Sequence, residues 1–197
     1  MKLLNRVIFT AALVLLSATA LHAEEMSMDQ AVMEQMKTLM APNEAHQVLV
    51  AFEGKWNYTG KFWMSPEAPA QEMTGTTENT MIYGGRFLKQ TIEGPWMGET
   101  FEGLGYTGYD NIKKAYQSVW LDSMGTGIMT VSGSYDAVTK TLNQSGTNSC
   151  PLTGETDRKG RSEWTVVDAD HNTYTSYLMG PDGNEFKSME IQYTRMA

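Results

Sequence analysis

Beyond Gly54 the chain alternates. Trp56, Tyr58, Phe62 and Met64 share one parity and Lys55, Asn57, Thr59 and Lys61 the other, the period-2 pattern of a strand with one buried face. From there to the C-terminus, turn signals arrive about every ten to fifteen residues and separate segments rich in Thr, Tyr, Val, Ile and Trp. The pattern predicts about ten strands, over 55–64, 71–83, 86–93, 99–109, 114–122, 127–135, 140–147, 155–167, 173–179 and 184–195. The connections are Gly84-Gly85, Gly94-Pro95, Asp110-Asn111, Gly125-Thr126-Gly127, Asp136-Ala137, Asp168-Ala169-Asp170 and Pro181-Asp182-Gly183-Asn184. Nearly all are short enough for hairpins, so neighbours in sequence are expected to be neighbours in the sheet. A meander of this length hides its two edges by closing on itself. The expected fold is therefore all-β: a roughly ten-stranded antiparallel up-and-down barrel, with N-terminal helices closing one end. Gly103, Gly105 and Gly108 within one strand are expected to mark bends or a bulge.

The segment before Gly54 is helical in period. Val32, Met33, Met36, Leu39 and Met40 form one stripe of a helix over 28–40, which Pro42 ends. Ala45, Val48, Leu49 and Phe52 form the stripe of a second helix that starts near Asn43, with Gly54 suited to the position past its C-terminus.

The first residues carry a different message. Lys2 and Arg6 precede the apolar run 7–16 and the small-residue stretch 17–23, the pattern of a secretory signal peptide cleaved after Ala20 or Ala23. The expected organisation is a leader (1–23), a Met-rich amphipathic helix (24–41) and one barrel domain (42–197), with a periplasmic or secreted location. The apolar run is shorter than the ~20 residues a permanent span needs. No cysteine follows it, so the acceptor for lipoprotein anchoring is missing. The net charge is −8, and two positive charges leave with the leader; such a protein repels nucleic acid and anionic membrane surfaces. Cys150 is the single cysteine, either a tolerated loop thiol or the means of an intermolecular bridge, which leaves a homodimer open.

Two elements carry a resemblance. Gly54-Lys55-Trp56 on the first strand, preceded by a short helix and answered by Arg195 on the last, resembles the calycin superfamily of lipocalins and fatty-acid-binding proteins. More closely, Phe101-Glu102-Gly103-Leu104-Gly105 with Gly108-Tyr109-Asp110-Asn111, then 120–127 (Trp120 to Gly127), and Tyr193-Thr194-Arg195 resemble a bacterial family known as domain of unknown function 1579. That family is regarded as calycin-like, so the resemblance implies the barrel and no activity. Parity adds a contact of its own: Met189, Ile191, Tyr193 and Arg195 face inward, so Arg195 is expected over the ring of Trp56 if first and last strands are adjacent. Gly54, Trp56 and Arg195 are thus the expected structural set.

A barrel of more than about eight strands has room for a ligand. Strand parity gives Tyr58, Phe62, Leu88, Gln90, Ile92, Tyr116, Ser118, Trp120, Trp164, Met189, Ile191 and Tyr193 as candidate cavity walls, with Asp122 and Ser123 as a polar rim at one mouth. Apolar bodies with a few polar handles suit a small apolar or amphipathic molecule. The competing readings are that these side chains simply fill the core, and that Asp122 and Ser123 bond their own turn.

Catalysis has little to build on. After leader removal only His46 and His171 remain, there is no Gly-x-Ser-x-Gly elbow or phosphate loop, and no cofactor is expected. A haem-binding calycin needs a histidine aimed into its cavity, whereas His171 is expected in a turn and His46 on a helix. Two alternatives stay beside ligand binding. One is an interaction barrel that uses its outer face or Met-rich helix, and the other is Cu(I) held by Met26, Met28, Met33, Met36 and Met40.

Overall fold

The computed structural model describes residues 29–150 and 153–197. The expected leader, Met26, Met28 and residues 151–152 lie outside them. The described residues before Pro42 belong to one unit and Pro42–Ala197 to another. In the first, 29–40 is a helix, α1, with Val32, Met33 and Met36 about half exposed. No helix among the described residues is long and apolar enough to cross a membrane.

The second unit opens with α2 (Glu44–Val50) and continues through β1 (Gly54–Phe62), β2 (Gln71–Ile82), β3 (Phe87–Trp96), β4 (Glu99–Asp110), β5 (Ala115–Asp122), β6 (Met129–Asp136), β7 (Thr141–Asn148), β8 (Arg158–Val166), β9 (His171–Met179) and β10 (Glu185–Arg195). Each strand pairs antiparallel with the next, and β1 pairs with β10 to close the barrel. The ten-stranded up-and-down barrel is as the sequence led one to expect. Within this unit the helix that packs on the barrel is α2.

Three local expectations are corrected. Gly94-Pro95 is not a turn: β3 runs through both to Trp96, and Pro95 faces Thr100 beside the hairpin end, where a strand tolerates a missing N–H. The turn is Met97-Gly98, with φ of 49° and 87°. That is positive φ at both positions, as a two-residue hairpin demands, but with Met where Asn or Asp is usual. The glycines of β4 make no bulge, since the register with β3 and β5 is unbroken; the shift lies in β10, between Lys187 and Met189. Gly103 and Gly105 instead make room for the ring of Trp120, which lies across both. His171 is the first residue of β9 rather than part of a turn.

The closed end is built around α2. Asn43 caps it, its side chain accepting from the Ala45 N–H at 3.0 Å. Leu49 and Phe52 drop into a cluster with Leu88, Tyr116, Leu142 and Trp164. Phe52 stacks on Trp164 at 4.2 Å, and the Tyr116 hydroxyl donates to the Ala45 carbonyl at 2.7 Å. Burial of the large apolar side chains here, each worth about 1.5–3 kcal/mol, holds the helix against the sheet.

His46 completes the cap, its Nδ1 accepting from the Asn43 N–H at 3.1 Å. Burial lowers its pKa from the ordinary 6.5, nearby Arg86 adds to the effect, and a hydrogen bond to the Tyr109 backbone opposes it. A depressed folded-state pKa means that the contribution is complete above pH 6.5 and is lost as pH falls through the folded value, because protonation removes the Nδ1 acceptor. The melting temperature of the wild type is expected to fall between pH 7.5 and 5. His46→Gln should start lower and stay flat across that window; a wild-type curve as flat as the variant's would contradict the role.

Candidate functional site

Alternation along the strands turns one residue in two toward the barrel axis, and their burial changes with height. Toward α2, Phe52, Leu88 and Leu142 are at most 1 % exposed. Toward the other end, where loops 63–70, 97–98, 123–128, 149–150 with 153–157, and 180–184 form the rim, Phe62, Met73, Trp96, Phe101, Trp120 and Met189 also face inward but are only half-buried. The inner face is thus fully buried at the helix end and less completely buried at the other.

The sealed end explains the Gly-x-Trp and the terminal arginine. Trp56 is fully buried, and its Nε1 donates to the Phe52 carbonyl at 3.1 Å; Asn79 Nδ2 donates to the same oxygen at 2.8 Å. Arg195 lies over the Trp56 ring, Cζ 4.0 Å from the centroid, as parity had placed it. Its Nη1 donates to the Glu53 carbonyl and its Nε to that of Ala169, both at 2.9 Å, tying β10 to the start of β1. Gly54, at φ 129°, does more than follow a helix: a Cβ there would collide with Arg195 Nη1.

The candidate wall divides by height. Leu88, Tyr116 and Trp164 belong to the cluster under α2 and are core. The Trp164 Nε1 is committed to Asn172 Oδ1 at 2.7 Å, and burial pushes the Tyr116 hydroxyl up to about 12. Ser118 bonds Thr107 and Gln144 side chains in a polar band across the interior, and Gln90 turns inward, half-buried, on β3. Tyr58, Ile92, Ile191 and Tyr193 form the second cluster with Trp56, and Trp120 and Met189 pack against it from above. Burial raises the pKa of both Tyr58 and Tyr193, so these hydroxyls stay protonated. The Tyr58 ring fits because β2 and β3 carry glycine beside it: a Cβ at Gly75 would meet the ring at 2.7 Å, and one at Gly94 would collide with its hydroxyl. At the rim, Phe62 meets Trp96 edge-on at 5.5 Å.

Asp122 and Ser123 are not a free polar rim. Asp122 Oδ2 accepts from Trp120 Nε1 at 2.8 Å and Oδ1 from the Met124 N–H at 2.9 Å, while Ser123 Oγ accepts from the Glu102 N–H at 3.0 Å. Asp122 fixes the Trp120 ring and closes its own turn, as short polar side chains beside turns do, and Ser123 ties that turn to β4. Asp110 likewise caps its turn through Ile112 and Lys113. A shallow, open depression of about 800 Å³ lies across β1–β5, lined by Lys55, Glu78, Lys89, Glu93, Glu102 and Leu104, whose parity is outward. Its charged, solvated wall does not continue the aromatic interior.

Among the described residues there is no grouping of His, Cys, Asp and Glu able to hold a metal. His46 serves the helix cap and His171 pairs with Asp168 at 2.8 Å. Cys150 is 4 % exposed, so its thiol is not presented for a bridge between molecules. Arg158, absent from the expected site, turns inward at the rim on the parity of Ser162 and Trp164.

The same barrel is found in proteins of known structure. Rv2717c from M. tuberculosis superposes with a TM-score of 0.61 at 15 % identity, over 80 % of this chain and all of that one. The S-type phycobiliprotein lyase CPES from Guillardia theta does so with a TM-score of 0.53 at 9 % identity, over 79 % of this chain and 99 % of its own. At such identities the likeness is one of fold. No curated protein sequence matches the chain. The family described as protein of unknown function (DUF1579) matches residues 41–195, the whole barrel with its closing helix, and the chain is a member of that family with a calycin-like fold.

Proposed function

We propose that the protein is an exported carrier or receptor that holds a small apolar or amphipathic molecule in the open half of its barrel, without covalent catalysis. One observation carries the reading: aromatic and thioether side chains on the inner face, Phe62, Met73, Trp96, Phe101, Trp120 and Met189, stay half-buried. Apolar groups that a barrel only needed as filler would interdigitate to interior density. Side chains left accessible inside a cup are surface that a guest can cover, at about 25 cal/mol per Å². The likeness to solved barrels supports the container and is silent on its content. The leader-like residues 1–23 support export.

Trp120 reports the occupant. Titrating the mature protein with an environment-sensitive apolar dye is expected to quench Trp96 and Trp120 together, with dissociation constants in the micromolar range. Trp120→Phe should lose part of that quenching, and Trp96→Phe, in the same half of the barrel, another part. Dye that binds without affecting Trp120 would place binding elsewhere.

A second reading has its own observation. The half-exposed Val32, Met33 and Met36 give α1 an apolar stripe suited to a protein partner. Removing residues 24–41 separates the readings, since a carrier keeps its small molecule and an interaction module loses its partner.

A further inference from the structure

We infer that the open end carries a recognition site for the anionic head group of an amphipathic ligand, built on Arg158 with Asn148. The inference rests on the cavity reading above and specifies its ligand class.

Strand residues that alternate inward are overwhelmingly uncharged; the charged ones are Glu99, Asp122, Arg158 and Arg195. Arg195 is consumed at the sealed end by the carbonyls of Glu53 and Ala169. Asp122 has both oxygens engaged by Trp120 and Met124. Glu99 is exposed at the tip of the β3–β4 hairpin. Arg158 differs from all three. It stands directly across the ladder from Asn148, both on the inward parity of β7 and β8, and it is half-buried. Its single hydrogen bond among the described residues runs from Nε to Asn148 Oδ1 at 3.4 Å, which leaves both terminal amino groups of the guanidinium uncommitted.

A guanidinium oriented through Nε presents its remaining N–H groups as a fork, the geometry that takes a carboxylate or phosphate through two parallel bonds. Below it the next inward residues are Gly146 and Gly160, themselves cross-strand partners, and the apolar side chains of Val131 and Leu178 lean over them from the flanking strands. An apolar tail that runs from the rim toward Trp120, Met189 and Tyr58 therefore meets apolar side chains, and no second charge, on this wall. The arrangement separates the two halves of an amphipath by height, charge at the rim and aromatic surface beneath. In a chain of net charge −8, an inward cation is also what makes an anionic guest acceptable.

The probes are dodecanoate, dodecyl phosphate, dodecanol and dodecylamine below their micellar concentrations, with dissociation constants read from tryptophan fluorescence. The wild type is expected to bind both anions at least about tenfold more tightly than the alcohol, the factor a charge-assisted bond supplies. The amine should bind no better than the alcohol. Arg158→Met should bring the anions to parity with dodecanol and leave dodecanol within about twofold; Arg158→Lys should keep part of the preference. The wild-type preference should also shrink as salt is raised, a check that needs no variant. A dominant advantage for dodecyl phosphate would assign the head group to a phosphate ester, and one for dodecanoate to a carboxylic acid. Equal binding of alcohol and anions, or an anion preference that survives Arg158→Met, would overturn the inference while leaving the cavity reading intact. Failure of all four probes to bind would remove both.

Discussion

Replacing Trp56 with alanine is expected to lower the unfolding free energy by about 3–5 kcal/mol, the usual loss when a buried tryptophan is truncated in a core that cannot collapse around the gap. Collapse is blocked because the ring is fixed on several sides at once: it donates to the Phe52 carbonyl, packs with Tyr58, Ile92, Ile191 and Tyr193, and is covered by Arg195. Arg195→Ala should cost less, about 1–3 kcal/mol, since the guanidinium's hydrogen bonds are to backbone carbonyls that water can reach after truncation. The cation–π term between them is measured by a double-mutant cycle in urea, with a coupling of about 0.5–2 kcal/mol expected. Additive single losses would show that the two residues are merely close.

Gly54→Ala is expected to cost about 2–4 kcal/mol, although only a methyl group is added. Two terms combine. At φ 129° an alanine backbone is strained, by about 1–3 kcal/mol. The new Cβ also takes the space of Arg195 Nη1, so the arginine must leave the Trp56 ring and surrender about 0.5–2 kcal/mol of stacking. The terms can be parted: in an Arg195→Ala background the collision has gone and Gly54→Ala should cost the strain alone. An equal loss in both backgrounds would mean that Gly54 serves the backbone and not the arginine.

The hub formed by Gly54, Trp56 and Arg195 was legible in the sequence because it needs only parity counted from the two chain ends, plus the expectation that a long meander closes. Strand number was legible for a similar reason, since turn chemistry punctuates it. The turn at Met97-Gly98 was not, because methionine is an unusual residue at positive φ and Gly94-Pro95 nearby offers a stronger turn signal. For the site, parity gives a side chain's face but not its height along the axis. Leu88, Tyr116 and Trp164 therefore resembled Tyr58, Trp120 and Met189 until register and α2 separated core from cup. Asp122 has the residue type of a rim group, and only its two hydrogen bonds reveal that it serves Trp120 and its own turn. Arg158 had a usable signal, the alternation Arg158, Gly160, Ser162, Trp164 within the expected strand 155–167, but a charged residue next to glycine and serine lacks the apolar character by which cavity walls are recognised.

The central claim is that the open half of the barrel holds a small molecule, and the mass of the native particle tests it most directly. Protein isolated from its own cells without denaturation should show, by native mass spectrometry, the polypeptide plus a guest of a few hundred daltons that organic extraction removes and an added amphipath restores. A single species at the bare polypeptide mass, unchanged when amphipath is added, would contradict it.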